Sequence, residues 1–480
     1  MKTKKDSTAK SKARTQITLS DAMANRRRLL RAAFDAVQDT KDNMRHFSFA
    51  DGLSADADAN EQNRAKLRFR SRYEVLNNCY AKGIVQMLAN DTIGTGPRLQ
   101  FLSDDENLND RIEADFAAWA KEARLPQILR LMRIARCQDG EAFAVIMTNP
   151  RMYSDVKIKL DVIEADRIHG EPKVEDDDTE VDGIRYDKYG EPVSYRVYKY
   201  HPGDDRHFPY DDFTIVPYEY MLHTFVKYRP GLHRGVPELH AALPLFAYMR
   251  RYNLASVAAA ELAADFSAIL YTDSPANGES EDIEPLDTIH LERNMMLTMP
   301  AGWKLGQLDT KHPTATHGDE VKVILSEIAR SICATYGTVA GNFSGFNYAS
   351  GRLDNQIYQK AILVDRTVWE SEVLDRILAA WLREWSLATG IPLPQDKTHE
   401  WFWDAFLHVD PTKDANAQAQ RLANMTTTLA DEYAKEGKDY VKKLRQIAKE
   451  RALMKELGIL DAFKAAPSGG DGDEEDNGEI

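Results

Sequence analysis

Three adjacent aspartates, Asp176, Asp177 and Asp178, are the first residues of this chain that could do chemistry. Clustered carboxylates can hold the paired divalent ions that attack phosphodiesters, which would make a metal-dependent DNA nuclease. Neighbours on an extended segment point to opposite faces, however, so three in a row do not converge on one ion. With Glu175 and Glu180 beside them, they read as a solvated acidic loop. The closest histidine pairs, His201/His207 and His312/His317, lie in Pro- and Gly-containing loops, and HExxH is absent. There is no GxxxxGK[ST] phosphate cradle and no GxSxG elbow. Gly94 and Gly96 are followed by Pro97 and a strand-like run over 98–102, where a dinucleotide site needs a helix N-terminus. The expectation is a protein with no catalytic residue, no cofactor and no metal.

At 480 residues the chain exceeds the ~250–300 that one core supports, so several substructures or one elongated subunit should form. The cysteines Cys79, Cys137 and Cys333 are far apart and odd in number, which fits a reducing cytosol better than a disulfide framework. No run approaches the ~18 apolar residues of a membrane span. The lysine-rich start is followed by no apolar region of a secretory signal. The formal charge of −14 is unevenly spread. Residues 1–31 hold ten Lys/Arg against Asp6 and Asp21, while 470–480 hold six acids and no base. An acidic total argues against clamping DNA through its phosphates, and suits a protein that must let DNA slide.

The elements that must position any site follow from periodicity. Residues 1–66 read as a basic, partly disordered arm with some helix over 22–34. Helical patterns run over 73–91, 108–123 and, opened by Pro126, 127–137. A β-rich block over 140–226 alternates at Phe143, Val145 and Met147 and again at Val156, Ile158 and Leu160. Pro237 should start a long helix reaching about Leu270, with seven alanines over 255–268. An irregular, β-like segment over 271–309 precedes a helix over 319–336 and a Gly/Asn/Ser-rich loop over 338–351. Trp369, Val373, Leu374, Ile377, Leu378, Trp381, Leu382 and Trp385 then form one apolar helical stripe, ended by Gly390. Residues 415–457 are helical, and an acidic tail follows Pro467.

Several short motifs, in order, resemble the lambda-type portal family of tailed phages. They are Arg70-Ser71-Arg72, Asn77-Asn78-x-Tyr80-Ala81-x-Gly83 and Asn90-Asp91-x-Ile93-Gly94-x-Gly96. Asp139-Gly140-Glu141-Ala142-Phe143 comes next, then Arg229-Pro230-Gly231 with Arg234-Gly235-Val236-Pro237. Pro300-Ala301-Gly302-Trp303, Asn347-Tyr348-x-Ser350-x-Arg352 and Asp410-Pro411-Thr412-Lys413 complete the set. One departure is Ala349, where the family usually carries serine.

The resemblance implies an α+β, portal-type elongated subunit. Its parts would be an α/β wing (67–236), a stem-like helix (237–270) and a clip-like segment (271–317). A second stem helix (318–336), a tunnel loop (337–352), a wing helix and strand (353–410) and a helical crown (411–465) would follow; the acidic, disordered tail (466–480) is read from composition and is not carried over from the family. It also implies a non-enzymatic role in a dodecameric homo-oligomer at one capsid vertex, assembled in the host cytoplasm and carried in the virion. Double-stranded DNA would pass through it, with the terminase large subunit, major capsid protein and head–tail adaptor as partners and no membrane. Tunnel-loop residues facing DNA would be Asn342, Ser344, Asn347, Tyr348, Ser350 and Arg352. Lys304, Lys311, Lys322 and Arg330 are candidate channel guides, and Glu281, Asp282, Glu284 and Asp287 a candidate acidic docking face. A nuclease, or another head–tail connector component, is the alternative.

Overall fold

Elements are numbered along a computed structural model that describes residues 40–170, 179–204, 212–265, 269–272, 303–306, 316–406 and 411–459. Residues 1–58 and 59–480 form separate compact units. In the first, α1 (Lys41–His46) is capped by Thr40, whose Oγ1 accepts from the Asn43 amide at 3.1 Å, and α2 (Ala55–Asp58) follows. The helix expected over 22–34 lies outside the described residues.

The second unit opens with α3 (Glu61–Asn77), which starts inside the stretch read as a partly disordered arm. Asn60 caps it, accepting from the Asn63 amide at 2.9 Å. The single helix expected over 73–91 is two, α3 and α4 (Cys79–Ile93). Asn78 is extended between them, and its side chain accepts from the Tyr80 amide at 3.0 Å to start the second. Then come β1 (Arg98–Phe101), α5 (Glu106–Glu122) and α6 (Leu125–Asp139), the last with Pro126 in its first turn as its sequence demands.

The β-rich block forms two antiparallel sheets. β2 (Glu141–Thr148) lies between β3 (Ile158–Ile163) and β8 (Met221–Phe225). β4 (Glu180–Val181), β5 (Ile184–Tyr186), β6 (Pro192–Tyr198) and β7 (Phe213–Pro217) pair in sequence order. Asp176, Asp177, Asp178 and His207 lie outside the described residues.

The long helix expected from Pro237 to Leu270 is shorter: α7 spans Leu243–Asp265. Pro244 is the start signal that governs, since its missing amide is harmless only in a first turn. Leu270 falls instead in β9 (Ile269–Thr272), paired with β10 (Trp303–Gly306). The helix expected over 319–336 ends early, as α8 (His317–Ser331). Cys333 takes a left-handed φ of 55°, and a second short helix, α9 (Tyr336–Ala340), begins with Thr335 and Thr338 capping each other.

The expected Trp-rich stripe is the centre of the main core. α10 (Tyr348–Trp369), a π-helical turn (Glu370–Leu374) and α11 (Asp375–Thr389) form one continuous run. Residues spaced strictly by four drift around a helix of 3.6 residues per turn. The π turn absorbs an extra residue, so Trp369, Val373, Ile377, Trp381 and Trp385 all stay buried. Trp381 meets Phe116 edge-on at 5.3 Å and Trp119 at 6.4 Å between ring centres. β11 (His399–Phe402) returns to pair with β1. The chain continues through α12 (Pro411–Ala423), α13 (Leu429–Lys435) and α14 (Tyr440–Glu456). Replacing Trp381 with Ala should lower unfolding free energy by about 3–5 kcal/mol in urea titrations, and a loss under 1 kcal/mol would show the aromatic cluster is not the structural centre.

Candidate functional site

Three of the motifs read from the sequence meet at one buried corner. Arg72 donates to both oxygens of Asp139, at 2.7 and 2.9 Å, and to Asp166 at 2.6 Å. Two residues on, Glu141 receives Arg234 in a two-point bond of 2.9 and 2.6 Å, both side chains fully buried. Arg234 also donates to the carbonyl of Ile168 at 3.1 Å and to that of Asp182. The glycines allow the approach: a Cβ on Gly235 would sit 2.1 Å from the Gly140 carbonyl oxygen, and one on Gly140 would sit 2.3 Å from the Val236 carbonyl carbon.

One turn back on α6, Arg133 and Arg136 share two carboxylates. Arg133 bonds Glu238 at 3.0 and 3.1 Å and Asp365 at 3.0 Å. Arg136 bonds Glu238 at 3.0 Å and also holds Asp365. Burial opposes ionisation of Asp365, but Arg133 and then Arg136 outweigh it and hold the carboxyl below its usual range. In the same way burial works against Glu141, and Arg234 and His223 override it to hold its carboxyl well below the usual range. Nothing in periodicity reveals these pairs; the glycine-bearing motifs Asp139-Gly140-Glu141 and Arg234-Gly235 were their signal.

Asp365 sits near the far end of α10. Beside it Arg366 donates to the carbonyls of Asp91 at 2.9 Å and Thr92 at 3.0 Å, closing the C-terminus of α4. Tyr358 donates to Asp91 at 2.7 Å. One end of α10 is therefore fixed in the core, and the other carries the glycine-rich loop.

That loop is shorter than the expected 338–351. It spans 341–347, between the end of α9 and the start of α10. Asn347 accepts from the Ser350 amide at 2.8 Å while Ser350 Oγ accepts from the Asn347 amide at 3.0 Å. This reciprocal cap starts the helix earlier than composition suggested. Ser350 and Arg352 thus lie on the helix and are exposed; Asn342, Ser344 and Asn347 are exposed on the loop. Tyr348 is the first helical residue. Asn342 accepts from the Ser344 amide at 2.9 Å, and Gly341 and Gly345 take φ of 62° and 89°. Phe343 ties the loop to α9: a Cβ on Gly337 would lie 2.7 Å from its ring.

Lys322 and Arg330 are exposed on α8, and Lys322 Nζ stands 5.5 Å from the centre of the Tyr336 ring. Lys304 falls on β10. Lys311, His312, Glu281, Asp282, Glu284 and Asp287 lie outside the described residues.

His201 meets Glu164 at 2.9 Å and Asp166 at 3.5 Å, the arrangement among the described residues most like a metal site. Its Nδ1 accepts from the Gly203 amide at 2.9 Å, so in the neutral ring Nε2 carries the proton and faces Glu164. Arg72 already occupies Asp166. These donors fit a hydrogen-bonded histidine, not a cation.

The site thus consists of buried ion pairs, a docked glycine corner and an exposed loop at a helix end. The family model described as phage portal protein, lambda family, matches residues 40–366. The chain belongs to the lambda family of phage portal proteins, a structural and non-enzymatic family. It is 25% identical over 461 residues to a probable portal protein of Halomonas phage phiHAP-1, covering 86% of each chain. Among solved structures it is similar to a chain in the neck of an empty gene transfer agent (GTA) particle computed with C6 symmetry (TM-score 0.48, 15% identity, 78% of this chain, 94% of that one). A chain in the neck of a native GTA particle computed with C12 symmetry is similar at TM-score 0.44 and 13% identity, over 79% of this chain and 94% of that one.

Glu141→Ala should cost about 3–5 kcal/mol in chemical denaturation, since Arg234 would stay buried without its partner. Because Glu141 and Asp365 are depressed, the stability they supply is complete above their unfolded values near pH 4 and lost as pH falls through the lower folded values. The denaturation midpoint should therefore drop below about pH 4, and less steeply in Glu141→Gln. Gly337→Val should displace Phe343 and speed amide hydrogen exchange over 341–347, leaving α10 beyond Tyr358 unchanged.

Proposed function

We propose that this chain is one subunit of a dodecameric ring at a single capsid vertex, through which double-stranded DNA is packaged and later ejected. The observation that carries the reading is the two-ended α10, together with family membership. Its C-terminal end is locked into the core by Asp365 and Arg366, and its N-terminal end presents 341–347 outward. A packaging channel needs that combination of a rigid wall and a compliant lining. Glycines at 341 and 345 let the loop follow a helical substrate as it turns past.

In this arrangement 67–236 and the Trp-rich run of α10 and α11 build the wing, and α7 and α8 the stem. β9, β10 and the segment between them form the clip, the loop 341–347 lines the tunnel, and α12 to α14 form the crown. The clip docks the terminase large subunit, which hydrolyses ATP, and later the head–tail adaptor. The major capsid protein surrounds the wing. Rings are assembled in the host cytoplasm and carried in the virion. Acidic subunits repel phosphate and avoid tight binding that would stall the duplex. Lys304, Lys311, Lys322 and Arg330 then act as soft guides, and Glu281, Asp282, Glu284 and Asp287 as the docking face of the clip.

Negative-stain images of purified protein should show a ring with an open centre; a monodisperse monomer there and in assembled particles would overturn the reading. Ser344→Glu, at the loop tip, should leave rings intact and reduce DNA-filled heads severalfold. Removing 345–350 is a poorer test, because it would also take away the cap of α10. Normal filling in Ser344→Glu would remove the loop from the DNA path.

A further inference from the structure

Two helices of the body carry apolar faces that stay exposed among the described residues. Past Met249, no residue of α7 through Glu261 is buried. Leu254 and Val257 project there beside exposed Ala255, Ala258 and Ala259. On α10, the side opposite buried Tyr358, Ile362 and Arg366 carries Leu353, Ile357 and Val364. These five large side chains are each between 51% and 64% exposed. A helix apolar on all sides is ordinarily buried, and exposed apolar patches of this kind mark contact surfaces.

The two faces match in pattern. Leu254, Ala258 and Glu261 follow one another at steps of four and three residues, and so do Leu353, Ile357 and Lys360. At about 100° per residue each trio lies on one side of its helix, spanning about 10.5 Å along the axis. Laid side by side in the same direction, leucine meets leucine, small Ala258 faces large Ile357, and Glu261 faces Lys360. Glu261 is the one charged residue of α7 between Tyr252 and Glu261 itself, and Lys360 the one exposed charge of α10 between Leu353 and Val364. Neither belongs to an ion pair among the described residues. Both faces are exposed, so they do not meet within one subunit. In a dimer joined through one such contact, one face of each kind would stay open. Head-to-tail repetition occupies both faces of every copy and ends only when the circle closes.

We propose that the α7 face of each subunit docks on the α10 face of the next, with Glu261 beside Lys360. The proposal rests on the ring reading and names a contact that holds the ring together. In full-length protein with exposed Cys79 and Cys333 changed to Ser, Glu261→Cys and Lys360→Cys are combined and oxidised. Packed helices lie about 8–10 Å apart between axes, close enough for facing residues to form a disulfide. Denaturing, non-reducing gels should show a ladder of multimers beyond the dimer, which neither single variant gives. Rings in negative stain without that ladder would overturn this pairing and leave the ring standing. A monodisperse monomer with no ladder would overturn both. In a second arm, Lys360→Glu should lower the fraction of protein in rings severalfold at about 0.1 M salt, and adding Glu261→Lys should restore it. Both side chains are exposed, so the subunit fold should be unaffected. Rings indifferent to Lys360→Glu, or a double variant no better than the single, would contradict the pairing.

Discussion

Arg133, Arg136, Asp139 and Glu141 fall within nine positions at the junction of α6 and β2, and all four are buried. Taking one ion out of water costs several kcal/mol, so none of them settles inside the protein alone. Each has its partner on a distant segment: Arg72 on α3, Arg234 and Glu238 on the stretch before α7, Asp365 on α10. The corner forms only when all four segments arrive together. Buried pairs of this kind are weak sources of net stability, because apolar groups of the same shape often do as well. What they impose here is geometry. An alternative packing that withheld one segment would leave a bare charge in the interior.

That constraint explains which parts of the fold were legible in the sequence. The Trp369 to Trp385 stripe, the strands around Phe143 and Leu160, and the Pro126 start of α6 depend on local periodicity or one local residue, and they stand where their patterns put them. Errors came where a local competitor outweighed a broad pattern. Asn78 divides a continuous helical period because its side chain caps a new helix. Pro244 delays a helix whose expected start was Pro237. The Asn347 and Ser350 pair turns a stretch that reads as loop by composition into a helix start. The ion pairs of the corner left no periodic trace, since their partners lie 67 to 232 residues apart, and only the glycine-bearing motifs beside them gave a signal.

Coupling between the corner and the loop is a matter of leverage. Asp365 and Arg366 fix α10 close to the π turn, whereas Asn347 begins it at the opposite end. A helix of 22 residues is about 33 Å long, so the loop is held well away from the buried charges yet aligned by them. The loop's own ties are slight: one ring against Gly337 and a few hydrogen bonds near its ends. It is therefore placed by the core without being stiffened by it.

The division of labour among charges follows the same logic. Arg64, Arg68, Arg72, Arg133, Arg136 and Arg234 are engaged with Asp139, Glu141, Asp166, Asp182, Glu238 and Asp365. Arginine suits this work because its rigid fork meets carboxylates at two points and stays ionised when buried. Those clusters nearly neutralise themselves, so the imbalance of the chain lies outside them. The arm over 1–31 contributes +8 and the tail over 470–480 contributes −6, so the body between them carries −16. A count of bases therefore overstates what the body can offer to phosphate, because these arginines are already engaged with carboxylates that hold distant segments together.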